Sequence, residues 1–282
     1  MIDGYTQLVG LIGWPTRHSL SPLMHNAAFQ SLMLNWSYVP LPVQPGRVEG
    51  AISGLVALGF RGANVTIPYK ETVIPLLHRL SPEAEEIGAV NTIVVEKNGT
   101  LVGYNTDSSG FIASLRQGGF NPKGRPAVVC GAGGAARAAV HGLLEAGARE
   151  ITVLNRTIAR AEGLISQFVD ERLQAGRLSP ETLTRAAGDV DLLVNATPIG
   201  MWPHVDGLIW PSDLPVPPHL TVFDLVYNPL ETHLLQQARV SGTRVISGLE
   251  MLLFQGAAAL ELWTGKKAPI ATMRAALKEA VK

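Results

Sequence analysis

The sequence predicts an α/β protein built on mostly parallel sheets with helices on their faces. Two observations carry that expectation. Short apolar runs rich in β-branched residues alternate with longer helical segments almost from end to end, the pattern of βαβ units. The series also restarts near residue 107, after an Asn-Gly turn signal, and the restart contains a glycine-rich turn between a strand and a helix.

The elements follow in order. QLVGLIG is a short apolar strand, and SPLMHNAAFQSLML is a helix with Ser21 as N-cap and Pro22 at its first position. WSYVPLPV reads as a strand, VEGAISGLVALG as a helix and GANVTIP as a strand. KETVIPLL reads as a helix begun by Lys70, and PEAEEIG as another. NTIVVEKNGTLVGYN holds two alternating runs joined at Asn98-Gly99, a hairpin. DSSGFIASLRQGG is helical, PAVVCGAGG runs from strand into turn, and AARAAVHGLLEAG is a helix closed by glycine. REITVLNR, VDLLVNAT, LTVFDLVY and TRVISG are strands; residues 163–189 read as helix and loop, with Ser179-Pro180 restarting the helix. LEMLLFQGAAALELWTG and ATMRAALKEAVK are terminal helices that return to the first domain. The expected domains are 1–106, 107–246 and a helical tail, 247–282.

Composition narrows the function. With 282 residues, 46% hydrophobic and 16% charged, the chain can bury two modest cores. The 23 basic and 23 acidic residues balance, which argues against nucleic acid or a membrane surface as partner. MIDGYTQLVGLIGWP has no basic n-region or cleavage site, and there is no apolar run of about 18 residues, so neither export nor a membrane span is expected. A single cysteine, Cys130, fits a reducing cytoplasm and reads as a small buried apolar residue. Of seven histidines only His18 and His25 are close together, so no metal is expected.

GAGGAA, Gly131–Ala132–Gly133–Gly134–Ala135–Ala136, matches the dinucleotide fingerprint G-x-G-x-x-A in its required setting, after a strand and opening a helix. Gly131 allows the tight turn, Gly133 lets backbone approach a pyrophosphate, and Ala136 permits close helix packing. Free N–H groups of the helix then meet the phosphates. An NAD site places a carboxylate at the tip of the next strand; here stand Asn155, Arg156 and Thr157, which suit a 2′-phosphate and predict NADP(H).

A second candidate region is NVTIPYK, 64–70. If extended, it turns Val65, Ile67 and Tyr69 to one face and Asn64, Thr66 and Lys70 to the other. The hairpin independently brings Asn91 and Asp107 together, although Asp107 alone reads as a helix N-cap. Ser19 and Ser21 flank a helix start that favours an anion, with Ser21 either cap, ligand or both.

HSLSPLMHN, GANVTIPYK, GAVNT, YNTD, GAGGAARA, NRT, NATPIGM, DLVYNP and GLEMLLFQ occur in this order and cover nearly the whole chain. The set resembles the motif series of the shikimate dehydrogenase family, whose members reduce 3-dehydroshikimate to shikimate with NADPH. The resemblance implies a substrate domain, a Rossmann-type cofactor domain and a cleft between. It implies that Lys70 and Asp107 are the catalytic pair and that Ser19 and Ser21 hold the substrate carboxylate. Asn64, Thr66, Asn91 and Gln255 would contact the remaining substrate, and Tyr227, at a carboxyl strand end by its place in LTVFDLVYNP, is expected to touch substrate or nicotinamide. Thr197, Gly200, Met201, Leu225, Gly248 and Met251 would join the glycine turn and residues 155–157 around the cofactor. Ser247 and Glu250 depart from the Asp and Gly common in the family.

The expected function is therefore reversible reduction of 3-dehydroshikimate by a cytoplasmic monomer or homodimer, in aromatic amino-acid and chorismate biosynthesis. Two alternatives stand beside it: a dual quinate/shikimate dehydrogenase, and a non-catalytic NADP-sensing regulator.

Overall fold

The computed structural model describes residues 2–280. The chain forms two compact units, Met1–Asp107 with Leu252–Lys282, and Ser108–Met251.

The first unit contains β1 (Gln7–Gly13), α1 (Ser21–Ser31), β2 (Trp36–Pro42), α2 (Val48–Ala57), β3 (Gly62–Val65), β4 (Arg79–Leu80), α3 (Pro82–Ile87), β5 (Thr92–Val95) and β6 (Leu101–Tyr104). Its six strands are ordered β2-β1-β3-β5-β6-β4. The β1–β2, β1–β3 and β4–β6 pairs are parallel, whereas β5 runs antiparallel to both β3 and β6. The hairpin forms as its sequence requires, with Thr92 opposite Tyr104 and Gly99 at φ 83° in the turn. Ile12, Ile52, Leu55, Val65, Tyr69, Val73 and Ile93 fill one core, each side chain contributing roughly 1.5–3 kcal/mol by burial.

Three local expectations fail here. The NVTIPYK segment is not extended throughout: β3 stops at Val65, and of the expected inner face Val65 and Tyr69 are buried but Ile67 is 54% exposed. Pro68 has no N–H to continue a ladder, so the chain turns. The KETVIPLL helix is only a three-residue 3₁₀ turn, Ile74–Leu76. Ser21 is not the N-cap of α1; Leu20 is, without a side-chain cap, and Ser21 is the first helical residue.

The second unit carries α4 (Asp107–Gln117, which opens at the last residue of the first unit), β7 (Pro126–Cys130), α5 (Gly134–Glu145), β8 (Glu150–Asn155), α6 (Ile158–Phe168), β9 (Leu173–Arg177), α7 (Pro180–Gly188), β10 (Leu192–Asn195), β11 (Thr221–Asp224), α8 (His233–Val240) and β12 (Arg244–Ser247). All six strands are parallel, in the order β12-β11-β10-β7-β8-β9. This is the dinucleotide-binding order, with its switch point between β7 and β10. Alternate residues feed two cores: Ala127 and Val129 face Phe111, Val140 and Leu143, whereas Val128 and Cys130 face Leu183, Leu234 and Leu235. Residues 163–189 contain β9, which was expected as helix and loop; Ser179 does restart a helix, through a capping box with Thr182.

α9 (Gly248–Thr264) and α10 (Ile270–Ala280) end the chain. From Leu252 onward they belong to the first unit, where Trp263 Nε1 donates to Ile93 O at 2.9 Å. Ser247 Oγ accepts from Leu249 N at 3.2 Å at the start of α9. No helix among the described residues is long and apolar enough to cross a membrane.

Candidate active site

The backbone sets Lys70 before any side chain does. Tyr69 is buried, and its hydroxyl donates to Val43 O at 2.8 Å. Lys70 O accepts from Val90 N at 2.8 Å, which places Lys70 beside Asn91 at the start of the hairpin. Asn91 N donates to Tyr104 O, so the hairpin ends close and bring Asp107 into the same place.

There Lys70 Nζ pairs with Asp107 Oδ2 at 2.5 Å, the two side chains 16% and 6% exposed. Asp107 Oδ1 accepts from Asn91 Nδ2 at 2.9 Å. The same Asn91 nitrogen lies 2.9 Å from Thr106 Oγ1 and 3.2 Å from Gln255 Oε1. Its two hydrogens thus face three acceptors, a shared arrangement that can be redistributed. Asn91 Oδ1 accepts from Thr106 N and Thr92 Oγ1, and Asn105 Oδ1 accepts from Asp107 N. Asp107 is the first residue of α4, but its carboxylate is turned to the lysine and the amide.

Asn64 joins from β3. Its Nδ2 donates to Asn91 O at 3.1 Å and Thr92 Oγ1 at 3.0 Å, while Oδ1 accepts from the buried Tyr38 hydroxyl at 2.9 Å. Thr66 is half-buried, its N–H donating to Ile12 O. Ser19 Oγ accepts from Ser21 N at 3.3 Å. The first unit therefore joins Asn64, Lys70, Asn91, Asp107 and Gln255 in one hydrogen-bonded group. Ser19 and Ser21 form a separate pair at the start of α1, and Tyr227 belongs to the second unit. Tyr38, Thr92, Asn105 and Thr106 extend the group without having been singled out. Three of them stand inside the quoted GAVNT and YNTD stretches, which was the available signal.

The second unit presents the glycine turn at its switch point. Gly131 has φ 117°, and a Cβ there would meet Ala196 O at 2.9 Å. Both conformation and space demand glycine. Gly133 is the N-cap of α5 with no side-chain cap, and the space where its Cβ would stand is open. The first N–H groups of α5 are thus left for an anion, and Ala136 is fully buried against the sheet. At the tip of β8, Asn155 Nδ2 donates to Thr157 O at 2.9 Å; Thr157 is the N-cap of α6 without using its hydroxyl, and Arg156 is exposed. These features fit a dinucleotide bearing a 2′-phosphate.

Thr197, Gly200 and Met201 lie on the turn after β10, and Leu225 on the turn after β11. Gly248 abuts the Leu225 backbone so closely that a side chain there would displace it, and Met251 is buried in the core of this unit. At the ends of β10 and β11, Asn195 and Asp224 are fully buried and bonded to each other at 2.9 Å. Burial pushes the Asp224 carboxyl up to about 6, against the opposing effect of its donors Thr232, Val226 and Asn195. Burial, aided by the Asp224 charge, pushes the Cys130 thiol up to about 12, so it is no nucleophile. Among the described residues, no three His, Cys, Asp or Glu side chains are grouped to hold a metal ion.

Known proteins match this chain over nearly its whole length. Residues 11–93 match the shikimate dehydrogenase substrate binding domain, 114–199 the shikimate/quinate 5-dehydrogenase model, and 248–278 the shikimate 5'-dehydrogenase C-terminal domain. Shikimate dehydrogenase (NADP(+)) of Moorella thermoacetica is 51% identical over 99% of this chain and 95% of its own. The crystal structure of shikimate dehydrogenase from Aquifex aeolicus aligns with TM-score 0.90 at 38% identity, covering 99% of this chain and 100% of that one. That of the Thermus thermophilus enzyme, in complex with NADP(H) and shikimate, aligns with TM-score 0.87 at 40% identity, covering 97% and 99%. The chain belongs to the shikimate dehydrogenase family.

Proposed function

We propose that this chain catalyses the reversible NADPH-dependent reduction of 3-dehydroshikimate to shikimate, in the cytoplasm, as a monomer or homodimer. The observation that carries the reading is the mostly buried Lys70–Asp107 pair, whose carboxylate accepts from Asn91, itself bonded to Gln255. Ketone reduction needs a proton at the oxygen that becomes a hydroxyl. Lys70 Nζ is the donor, or holds the developing alkoxide, and Asp107 is its charge partner. Asn91 orients the carboxylate. Asn64, Thr66, Gln255 and Tyr227 contact the ring substituents, and Ser19 and Ser21 take the substrate carboxylate at the start of α1.

Gly131–Ala136, Asn155, Arg156, Thr157, Thr197, Gly200, Met201, Leu225, Gly248 and Met251 hold NADP(H). When bound, its nicotinamide supplies or accepts the hydride. The serine pair favours shikimate over quinate, whose extra hydroxyl is worth only about 1–3 kcal/mol of discrimination. Incubation with NADP⁺ and either acid, followed by NADPH absorbance, tests the reading. Turnover of shikimate with clearly higher kcat/KM than quinate is expected. Equal efficiency favours the dual-substrate alternative, and no absorbance change with either acid leaves only the non-catalytic one.

A further inference from the structure

The Asp224 carboxylate has no part in the reaction as proposed, yet it is fully buried at the carboxyl edge of the second sheet. Its bonds go to three different segments. Oδ1 accepts from Asn195 Nδ2 at 2.9 Å and from Val226 N at 3.1 Å; Oδ2 accepts from Thr232 Oγ1 at 2.6 Å. Asn195 passes the constraint onward. Its Oδ1 accepts from Thr197 N at 3.1 Å and Thr197 Oγ1 at 2.7 Å, and its Nδ2 also donates to Ile199 O at 3.3 Å. Thr232 in turn caps α8 by accepting from Leu235 N at 3.3 Å. Asn195 and Asp224 are register partners on the last rung of β10 and β11, so the next residues of both strands are the two turns.

We infer that Asp224 is a positioning residue for cofactor binding, fixing the turns 196–201 and 225–228 against each other in the shape that the pyridine nucleotide meets. The inference rests on the cofactor reading above. Stability alone gives little reason for a carboxylate here, because burying one costs more than burying an apolar side chain of similar size. Its acceptor-only chemistry gives the reason: every partner is a donor, and a carboxylate has two oxygens to divide among them. Two of its three bonds serve the turns, and only the third serves α8.

NADP⁺ titration and steady-state kinetics of Asp224→Ser, Asp224→Asn and Thr232→Val test this. Asp224→Ser should weaken NADP⁺ binding roughly 10–100-fold, the loss expected when hydrogen bonds to a charged group go. Its KM for shikimate should stay within about threefold of wild type. Asp224→Asn should recover most of the affinity, because its carbonyl can face Asn195 and Val226 while its amide nitrogen faces Thr232. Thr232→Val cuts only the α8 arm and should lower thermal stability with NADP⁺ affinity kept within about threefold. Should Asp224→Ser not fold, Asn195→Ser, which severs the link to Thr197 and Ile199, carries the same expectation. Wild-type affinity in the folded serine variant, or equal weakening by Thr232→Val, overturns the inference. Failure of the wild-type chain to bind NADP⁺ overturns the cofactor reading itself.

Discussion

The imidazole of His25 is fully buried, lies flat on Tyr38 at 4.4 Å between ring centroids, and has no hydrogen-bond partner for either nitrogen. Burial lowers its pKa from 6.5 to about 3, so it stays neutral in the fold where the unfolded chain would take up a proton. Its contribution to stability is present above pH 6.5 and is lost as pH falls towards 3. Asp224 acts in the opposite sense. Its folded pKa of about 6 lies above the ordinary 3.8, so its contribution is complete below 3.8 and is lost as pH rises through 6. Between about pH 4 and 6 the two oppose each other, each worth on the order of a few kcal/mol. Cys130, the titratable neighbour of Asp224, stays protonated throughout. Asp224→Asn should therefore steepen the loss of stability on acidification in this window, and His25→Leu should flatten it. Urea unfolding at several pH values measures both, and three parallel curves would contradict the assignment.

At the level of elements, cofactor choice lies at the β8–α6 junction. Arg156 is exposed there and no carboxylate stands at the strand tip, so kcat/KM should be higher with NADP⁺ than with NAD⁺. Arg156→Ala should narrow that preference roughly 10–100-fold by raising KM for NADP⁺ alone. An NAD⁺ preference in wild type would refute the reading. The second sheet was legible in the sequence, except for β9, because its other strands are short β-branched or apolar runs with a helix on at least one side. β9 was not, since LQAGR is a polar edge strand that pairs only with β8. The two-residue β4 is too short to leave a pattern. In NVTIPYK the period-2 reading assumed an extended chain that the structure does not continue past Val65. Asn64 is placed by β3, whereas Lys70 is placed by a turn after Pro68 and by the bond to Val90. The bonding within the candidate site was hidden because it depends on partners as far apart as Asn91 and Gln255, separated by 164 positions.

Across the whole molecule, each unit has its own six-stranded sheet and its own buried core, and each carries one half of the proposed chemistry. The residues assigned to proton transfer lie in the first unit and the glycine turn in the second, so a substitution in one should spare binding in the other. Lys70 offers the sharpest case. Lys70→Met removes the ammonium while keeping most of the side-chain volume, and it leaves Asp107 its amide partner Asn91. The loss of a partner from a mostly buried pair should lower stability measurably without unfolding the chain. The decisive measurement is kcat of folded Lys70→Met with shikimate and NADP⁺, taken together with its NADP⁺ affinity. The account predicts kcat lower by roughly 10²–10⁴ with NADP⁺ affinity nearly unchanged; a folded variant with near wild-type kcat would remove Lys70 from proton transfer and contradict it.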